Sequence, residues 1–493
     1  MKLSGRLLII LFFVLLFFFT RDSLILDPDF GWHLTTGKYI LKSGIPKTDP
    51  FSYSMPSYKW IEYEWLSDVT YALAYPAIGI VGLALLQSFI IVLTLILPFY
   101  KNLYRWSFLI FLLASGEFSF FGGVRPQIFT WFFFSLLLFV LLDRRRFDRF
   151  FFLVPLIFVP WVNLHGGFAL GIFTLLLFVV IESLKDKRLY IKGVFVFLLS
   201  VLATFINPYT LRIWEVIYNH ATDANLRSYV SEWLPGVTML HPSLLFLIAI
   251  SLIIVYKYIK RFNRIEIVLF LFLLVASLLS IKQAPLWVIL AVIIVNKGIL
   301  HFKNDLPKIA LKRFDVLISV LILIGIFLFI LQAYFALKSS YQLSENVFYP
   351  KKATEYLNNK HLGKNVFSTF NWGGYLIWHL PQRKFFVDGR MPTWKNLNSG
   401  NQSSYAFMEY NDILTGKVSL GSTITRYDID TVIVPVEGSK RNDDFILKLI
   451  SFGYKFLEGD QAQYYASLTQ QVLKFKFKEI YRDNVSVIYQ KSQ

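Results

Sequence analysis

The sequence predicts a polytopic α-helical membrane protein with an α/β domain at its C-terminal end. Three observations predict it. The 493-residue chain is 55% hydrophobic and 18% aromatic, with a mean hydropathy of +0.52, too apolar for an ordinary soluble composition. Its apolar residues fall in continuous runs of about 15 to 20, the length that about 30 Å of hydrocarbon requires at about 1.5 Å per helical residue. These runs do not alternate as barrel strands would, and from Ser339 onward they give way to mixed polar sequence.

Taken in order, apolar runs near 7–20, 79–98, 107–121, 127–142, 150–163, 168–182, 193–206, 240–256, 265–280, 285–297 and 315–334 predict about eleven spans. Lys2 and Arg6 precede the first run as in a signal peptide, but no small-residue cleavage site follows Phe19 and Thr20, so an uncleaved first span is expected. With a cytoplasmic N-terminus the inner loops 101–105, 144–149, 185–192, 257–264 and 297–313 are each basic, whereas the short outer loops hold only Arg125, Arg212, Arg227 and Lys282. That bias selects this orientation, and an odd span count places the C-terminal region outside the cytoplasm. The expected division is 1–338 as the transmembrane domain, with a first outer loop at 21–78, and 339–493 as an extracytoplasmic α/β domain. Within the latter, the pattern predicts helices over 347–357, 373–380 and 443–452, strands over 364–369, 384–387 and 430–435, and a hairpin over 473–489.

The net charge of +18 would suggest nucleic acid in a soluble protein. Here it sits in the inner loops and reads as topology, so membrane lipids and not nucleic acid are the expected neighbours. No cysteine is present, which excludes disulfides, thiolate metal sites and cysteine nucleophiles.

The unusual polar residues gather at the outer ends of the spans. The densest stretch is 26–66, with Asp27, Asp29, Asp49, Glu62, Glu64, His33 and the tryptophans Trp32, Trp60 and Trp65. A carboxylate at the membrane surface can take the proton of an attacking hydroxyl, which makes Asp27, Asp29, Asp49 and Glu64 the candidate catalytic acids. Asp29 also suits a helix N-cap ahead of an amphipathic helix lying on the bilayer. Arg125, between Gly122-Gly123 and Pro126, and Lys282 are cations at the depth of a lipid phosphate, where charge on a leaving group needs stabilising. His33 and His165 are further candidate donor or phosphate contacts, and Glu232, Trp233, Asp388 and Arg390 are candidates on the acceptor side. A divalent cation is compatible with these acids, but no ligand spacing specifies one, and no metal or cofactor is expected.

An Asp-x-Asp just after the first span, a long outer loop with an amphipathic helix, many further spans and an external C-terminal domain together resemble the GT-C superfamily of membrane glycosyltransferases. Within it the chain is similar to the prokaryotic protein-mannosyltransferase and RgtA/B/C/D-like group. The strings that carry the resemblance are 27–34 with 46–52, Arg125-Pro126-Gln127, 163–167, Asn207-Pro208-Tyr209 with Glu232-Trp233, and 371–374 with Asp388-Gly389-Arg390. The resemblance implies inverting transfer of a sugar from a polyprenyl-phosphate donor to a glycan, lipid or protein acceptor. The reaction would run on the outer face of a prokaryotic plasma (inner) membrane, with Asp27 or Asp29 as base. The competing readings are a polytopic transporter and a lipid-linked polysaccharide polymerase or ligase. Transporters carry repeats and ionisable residues at the bilayer midplane, whereas the candidate residues here lie mainly at outer span ends.

Overall fold

The computed structural model describes residues 5–97, 107–183, 187–239, 242–305, 347–394, 405–436 and 465–492, with isolated positions between 307 and 345. The protein is mostly helical, with a mixed five-stranded sheet in its C-terminal region. Its chain divides into two compact units, one of Met1–Ser23, Ile78–Ile217 and Glu232–Lys338, the other of Leu24–Ala77, Tyr218–Ser231 and Ser339–Gln493. Residues 24–77, most of the expected first outer loop, thus group with the C-terminal region.

The helices run in the order α1 (Gly5–Leu24), α2 (Phe30–Ser43), α3 (Trp65–Ile96), α4 (Ser107–Phe120), α5 (Gln127–Leu141), α6 (Arg144–Phe150), α7 (Val154–Leu164), α8 (Phe168–Ser183), α9 (Lys187–Ala203), α10 (Arg212–Thr222), α11 (Ala224–Tyr229), α12 (Pro242–Tyr258), α13 (Arg264–Leu279) and α14 (Ala284–Asp305). Among the described residues, four stretches are long and apolar enough to cross a membrane: Trp65–Ile96, Arg144–Leu164, Ser243–Arg261 and Ile281–Ile299. Each of the first ten expected spans coincides with helix. The span expected at 315–334 falls where only isolated positions are described, and the helix expected at 443–452 lies outside the described residues. The second expected span starts earlier than its apolar run, because the Glu64 carbonyl accepts the Ser67 and Asp68 N–H groups and starts α3 at Trp65. α3 is broken at Gly79, whose φ of 61° is a left-handed conformation that favours glycine.

In the first unit α14 is the most enclosed element. Leu286 through Val295 are all buried, and the helix packs against α4, α5, α12 and α13. The fully buried Glu266 near the start of α13 accepts the Asn263 N–H at 3.0 Å and pairs with Lys297, so its charge is compensated from both sides.

In the second unit the sheet order is β2-β1-β3-β5-β4, with β1 Asn365–Phe367, β2 Lys384–Phe385, β3 Thr431–Pro435, β4 Phe477–Arg482 and β5 Ser486–Lys491. β2, β1 and β3 are parallel, and β5 joins β3 and β4 antiparallel. The expected strands are present but shorter, and the expected hairpin is present with its second strand running on to Lys491. On the outer edge of β2, Ser52 pairs with Phe385, with Phe385 N–H donating to the Phe51 carbonyl at 3.1 Å. The 26–66 stretch thus extends the sheet. The first half of α2 does not lie bare for lipid. Phe30 through Leu34, Thr36 and Gly37 are buried, and a Cβ on Gly31 would come within 2.2 Å of the Gly374 carbonyl oxygen in the helix Gly373–His379. Two glycines let these helices touch backbone to backbone.

Candidate functional site

Asp27, Pro28 and Asp29 form a tight turn into α2. Asp27 is buried, and its Oδ1 accepts the Asp29 N–H at 2.9 Å, which closes the turn. Asp29 occupies the N-cap position expected of it, yet its carboxylate makes no cap bond and instead accepts Trp32 Nε1–H at 2.9 Å. It is half-buried beside Gly389, where a Cβ would fall 1.9 Å from Asp29 Oδ1. A Cβ on Gly374 would fall 2.2 Å from the Pro28 carbonyl oxygen. The glycines of the Asn371–Gly374 and Asp388–Arg390 strings are therefore what lets both strings close on the Asp27–Asp29 turn.

Four acids of this unit share one neighbourhood. His33 Nδ1 shares a hydrogen bond with Asp68 Oδ1 at 2.6 Å, and its Nε2 stands 3.7 Å from Glu64 Oε2. Glu62 Oε1 accepts the Glu64 N–H at 2.9 Å. Burial pushes the Glu62 carboxyl up to about 7, against the opposing effects of that hydrogen bond and the Arg390 charge. Between these groups, the Tyr63 hydroxyl is held protonated well above the usual phenol range. Burial is the main cause, followed by the charges of Glu64, Glu62, Asp29 and Asp68. Both ring nitrogens of His33 face carboxylates, an arrangement for sharing protons and not for meeting a phosphate. Among the described residues no group of three His, Asp or Glu side chains is disposed to hold a metal ion.

Asp49, Asp388 and Arg390 form a separate buried clamp. Arg390 donates to both Asp388 oxygens at 2.7 Å and to Asp49 Oδ1 at 2.8 Å, with its guanidinium 4.5 Å from the Trp60 ring centre and 5.0 Å from those of Phe51 and Trp394. Asp49 also accepts the Phe51 and Ser52 N–H groups at 3.1 and 3.0 Å. The two carboxylates raise the guanidinium pKa further above its usual value despite burial. This ion triad ties the first-loop turn to the end of β2, and it uses all three side chains on one another.

Arg125, Glu232, Trp233 and Lys282 are brought together in the first unit. Arg125 Nη1 donates to Glu232 Oε1 at 2.5 Å and to Gln127 Oε1 at 3.0 Å, while Gln127 Nε2 reaches the other Glu232 oxygen at 3.2 Å. Lys282 Nζ sits 4.8 Å from the Trp233 ring centre. The Arg125 and Lys282 charges hold the Glu232 carboxyl down at about 2 even though burial alone would raise it. The Ile281 N–H donates to the Leu234 carbonyl at 3.0 Å and joins the two short segments that carry these groups. Two cations with one carboxylate leave net positive charge, the requirement of an anion site.

His165 keeps different company. Its Nδ1 accepts from Thr130 Oγ1 at 2.7 Å and from the Gly167 N–H at 3.1 Å, and Thr130 Oγ1 in turn accepts Trp161 Nε1–H at 2.9 Å. Nδ1 is therefore the acceptor, and a neutral ring carries its proton on Nε2.

Sequence reasoning passed over Asp68, which orients His33, because the helix was expected to start beyond it. Once α3 starts at Trp65, Asp68 follows Glu64 by four residues and lies on the same face. Asp22 and Gln87 were also missed; both are polar residues embedded in apolar helices, which is itself a signal. Set against family models and curated proteins, the chain matches none of them.

Proposed function

We propose that this chain is a membrane glycosyltransferase of the GT-C type. It moves a sugar from a polyprenyl-phosphate-linked donor to an acceptor on the outer face of a prokaryotic plasma membrane, with inversion. In this reading the chain crosses the membrane about eleven times, with a cytoplasmic N-terminus and an extracytoplasmic C-terminal domain. The observation that carries the reading is the Asp27–Asp29 turn, held by the Asn371–Gly374 and Asp388–Arg390 strings beside Glu62, Glu64 and Asp68. A loop that served only to connect two spans would have no use for so many buried acids.

Asp29 is the favoured base, because it is the more accessible of the pair and Asp27 already closes the turn. It takes the proton as the acceptor oxygen bonds to the anomeric carbon. The bond from that carbon to the phosphate oxygen breaks and its electron pair leaves with the polyprenyl phosphate; Arg125 and Lys282, cations of the first unit, suit the binding of such a phosphate. Glu232 and Trp233, expected on the acceptor side, serve better as partners that orient these cations. Asp49, Asp388 and Arg390 serve as the clamp that holds the first loop. The test is transfer of labelled sugar from polyprenyl-phosphate donors to membrane acceptors by the protein in proteoliposomes. Labelled acceptor supports the reading, whereas solute flux across the vesicle without transfer favours a transporter.

A further inference from the structure

The turn that presents Arg125 is gripped by two side chains with no part in the chemistry above. Asp22, in the last turn of α1, is 2% exposed, and its Oδ1 accepts the Gly123 N–H at 3.2 Å. Its Oδ2 accepts from Gln87 Nε2 at 3.0 Å. Gln87, equally buried in the apolar α3, also donates from Nε2 to the Gly123 carbonyl, and its Oε1 accepts the Arg125 N–H at 2.9 Å. Gly123 has a φ of 105°, where a side chain would be strained.

Three backbone groups of one turn, the Gly123 amide, the Gly123 carbonyl and the Arg125 amide, are thus met by side chains from two different helices. Burying a carboxylate and a carboxamide among apolar helices is costly unless each hydrogen bond is made. Asp22 and Gln87 satisfy each other as well as the turn, so the arrangement is over-determined. At its far end the Arg125 side chain is fixed by Gln127 and Glu232. The backbone and the guanidinium are therefore held independently.

We propose that Asp22 and Gln87 are positioning residues for Arg125, which fix the 122–126 turn so that the guanidinium is preorganised for a polyprenyl phosphate. This rests on the reading of Arg125 as a phosphate contact. Preorganisation of this kind raises affinity for the charged headgroup and leaves affinity for the lipid chain unchanged.

The test compares binding of polyprenyl monophosphate and of uncharged polyprenol to the full-length protein in nanodiscs, read by native mass spectrometry. Arg125→Ala is expected to weaken polyprenyl phosphate binding about tenfold, the loss of one charge-assisted contact, with polyprenol unaffected. Asp22→Ala and Gln87→Ala are each expected to weaken the phosphate lipid severalfold, again sparing polyprenol. Asp22→Asn keeps an acceptor for the Gly123 amide and leaves Gln87 bonded to the Gly123 carbonyl and the Arg125 amide, and is expected to retain most of the affinity, whereas Gln87→Glu sets a carboxylate against the Gly123 carbonyl and is expected to weaken the phosphate lipid severalfold. If Arg125→Ala binds both lipids as the wild type does, the phosphate reading of Arg125 is wrong. If Arg125→Ala weakens binding but Asp22→Ala and Gln87→Ala do not, or if they weaken both lipids equally, the positioning role is wrong. Should the alanine variants fail to fold, Asp22→Asn and Gln87→Glu still decide, because equal selectivity for the phosphate lipid in the two overturns the proposal.

Discussion

Arg390 is the residue on which the second unit most depends. Its guanidinium pairs with two buried carboxylates and packs against three aromatic rings. Arg390→Ala strands Asp49 and Asp388 in a buried site and is expected to destabilise the unit by about 3–5 kcal/mol, read as a loss of thermal stability in detergent. Arg390→Lys is expected to recover only part of this, because an ammonium cannot match the bidentate geometry. Glu62 gives a pH signature. Its carboxyl titrates near 7 in the fold against an ordinary 4.5, so the folded protein keeps a proton that the unfolded chain releases. The associated stability is full below about pH 4.5 and is lost as pH rises through 7. Melting temperatures between pH 5 and 8 are expected to fall less steeply in Glu62→Gln than in the wild type. The candidate acids were legible in the sequence because a stretch between two apolar runs so rich in Asp, Glu and Trp needs a reason. Their partners were not: Arg390 meets Asp49 across 341 residues of chain, and no local pattern encodes that contact.

At the scale of elements, α2 and the helix Gly373–His379 meet through glycine. A methyl group at Gly31 or at Gly374 would land 2.2 Å from a backbone oxygen, which cannot swing aside as a side chain can. Gly31→Ala and Gly374→Ala are each expected to cost about 1–3 kcal/mol, seen as a lower melting temperature and faster proteolysis of the second unit. Lys42→Ala, at the exposed end of α2, is expected to change neither. α2 itself, the hairpin of β4 and β5 and the strand at β3 were readable from local periodicity and turn residues. The start of α3 was not, because the polar Glu64 to Asp68 segment reads as loop until the carbonyl of Glu64 is seen capping it. Nor was the pairing of Ser52 with β2, since a single bridged residue leaves no alternating pattern to read.

For the whole molecule, the basic loops expected on the inner side and the odd number of expected spans predict that the C-terminal region faces outward. A tag placed after Gln493 is expected to be accessible to a membrane-impermeant reagent from outside the cell, and labelling only after lysis would reverse the orientation. Apolar runs made the long apolar helices legible, four stretches of which, among the described residues, are long enough to cross a membrane, because hydrocarbon demands continuous hydrophobicity and leaves its mark on composition. The grouping of Leu24–Ala77 with the C-terminal region was illegible for the opposite reason, since it depends on a few glycines and one arginine far apart in sequence. The most direct measurement is sugar transfer from a polyprenyl-phosphate donor by purified wild type, Asp27→Asn and Asp29→Asn in proteoliposomes, each with wild-type melting behaviour. Loss of the general base is expected to lower the turnover of Asp29→Asn by about 10²–10⁴-fold while its donor binding persists. Transfer by both variants at the wild-type rate would contradict a first-loop aspartate as the base.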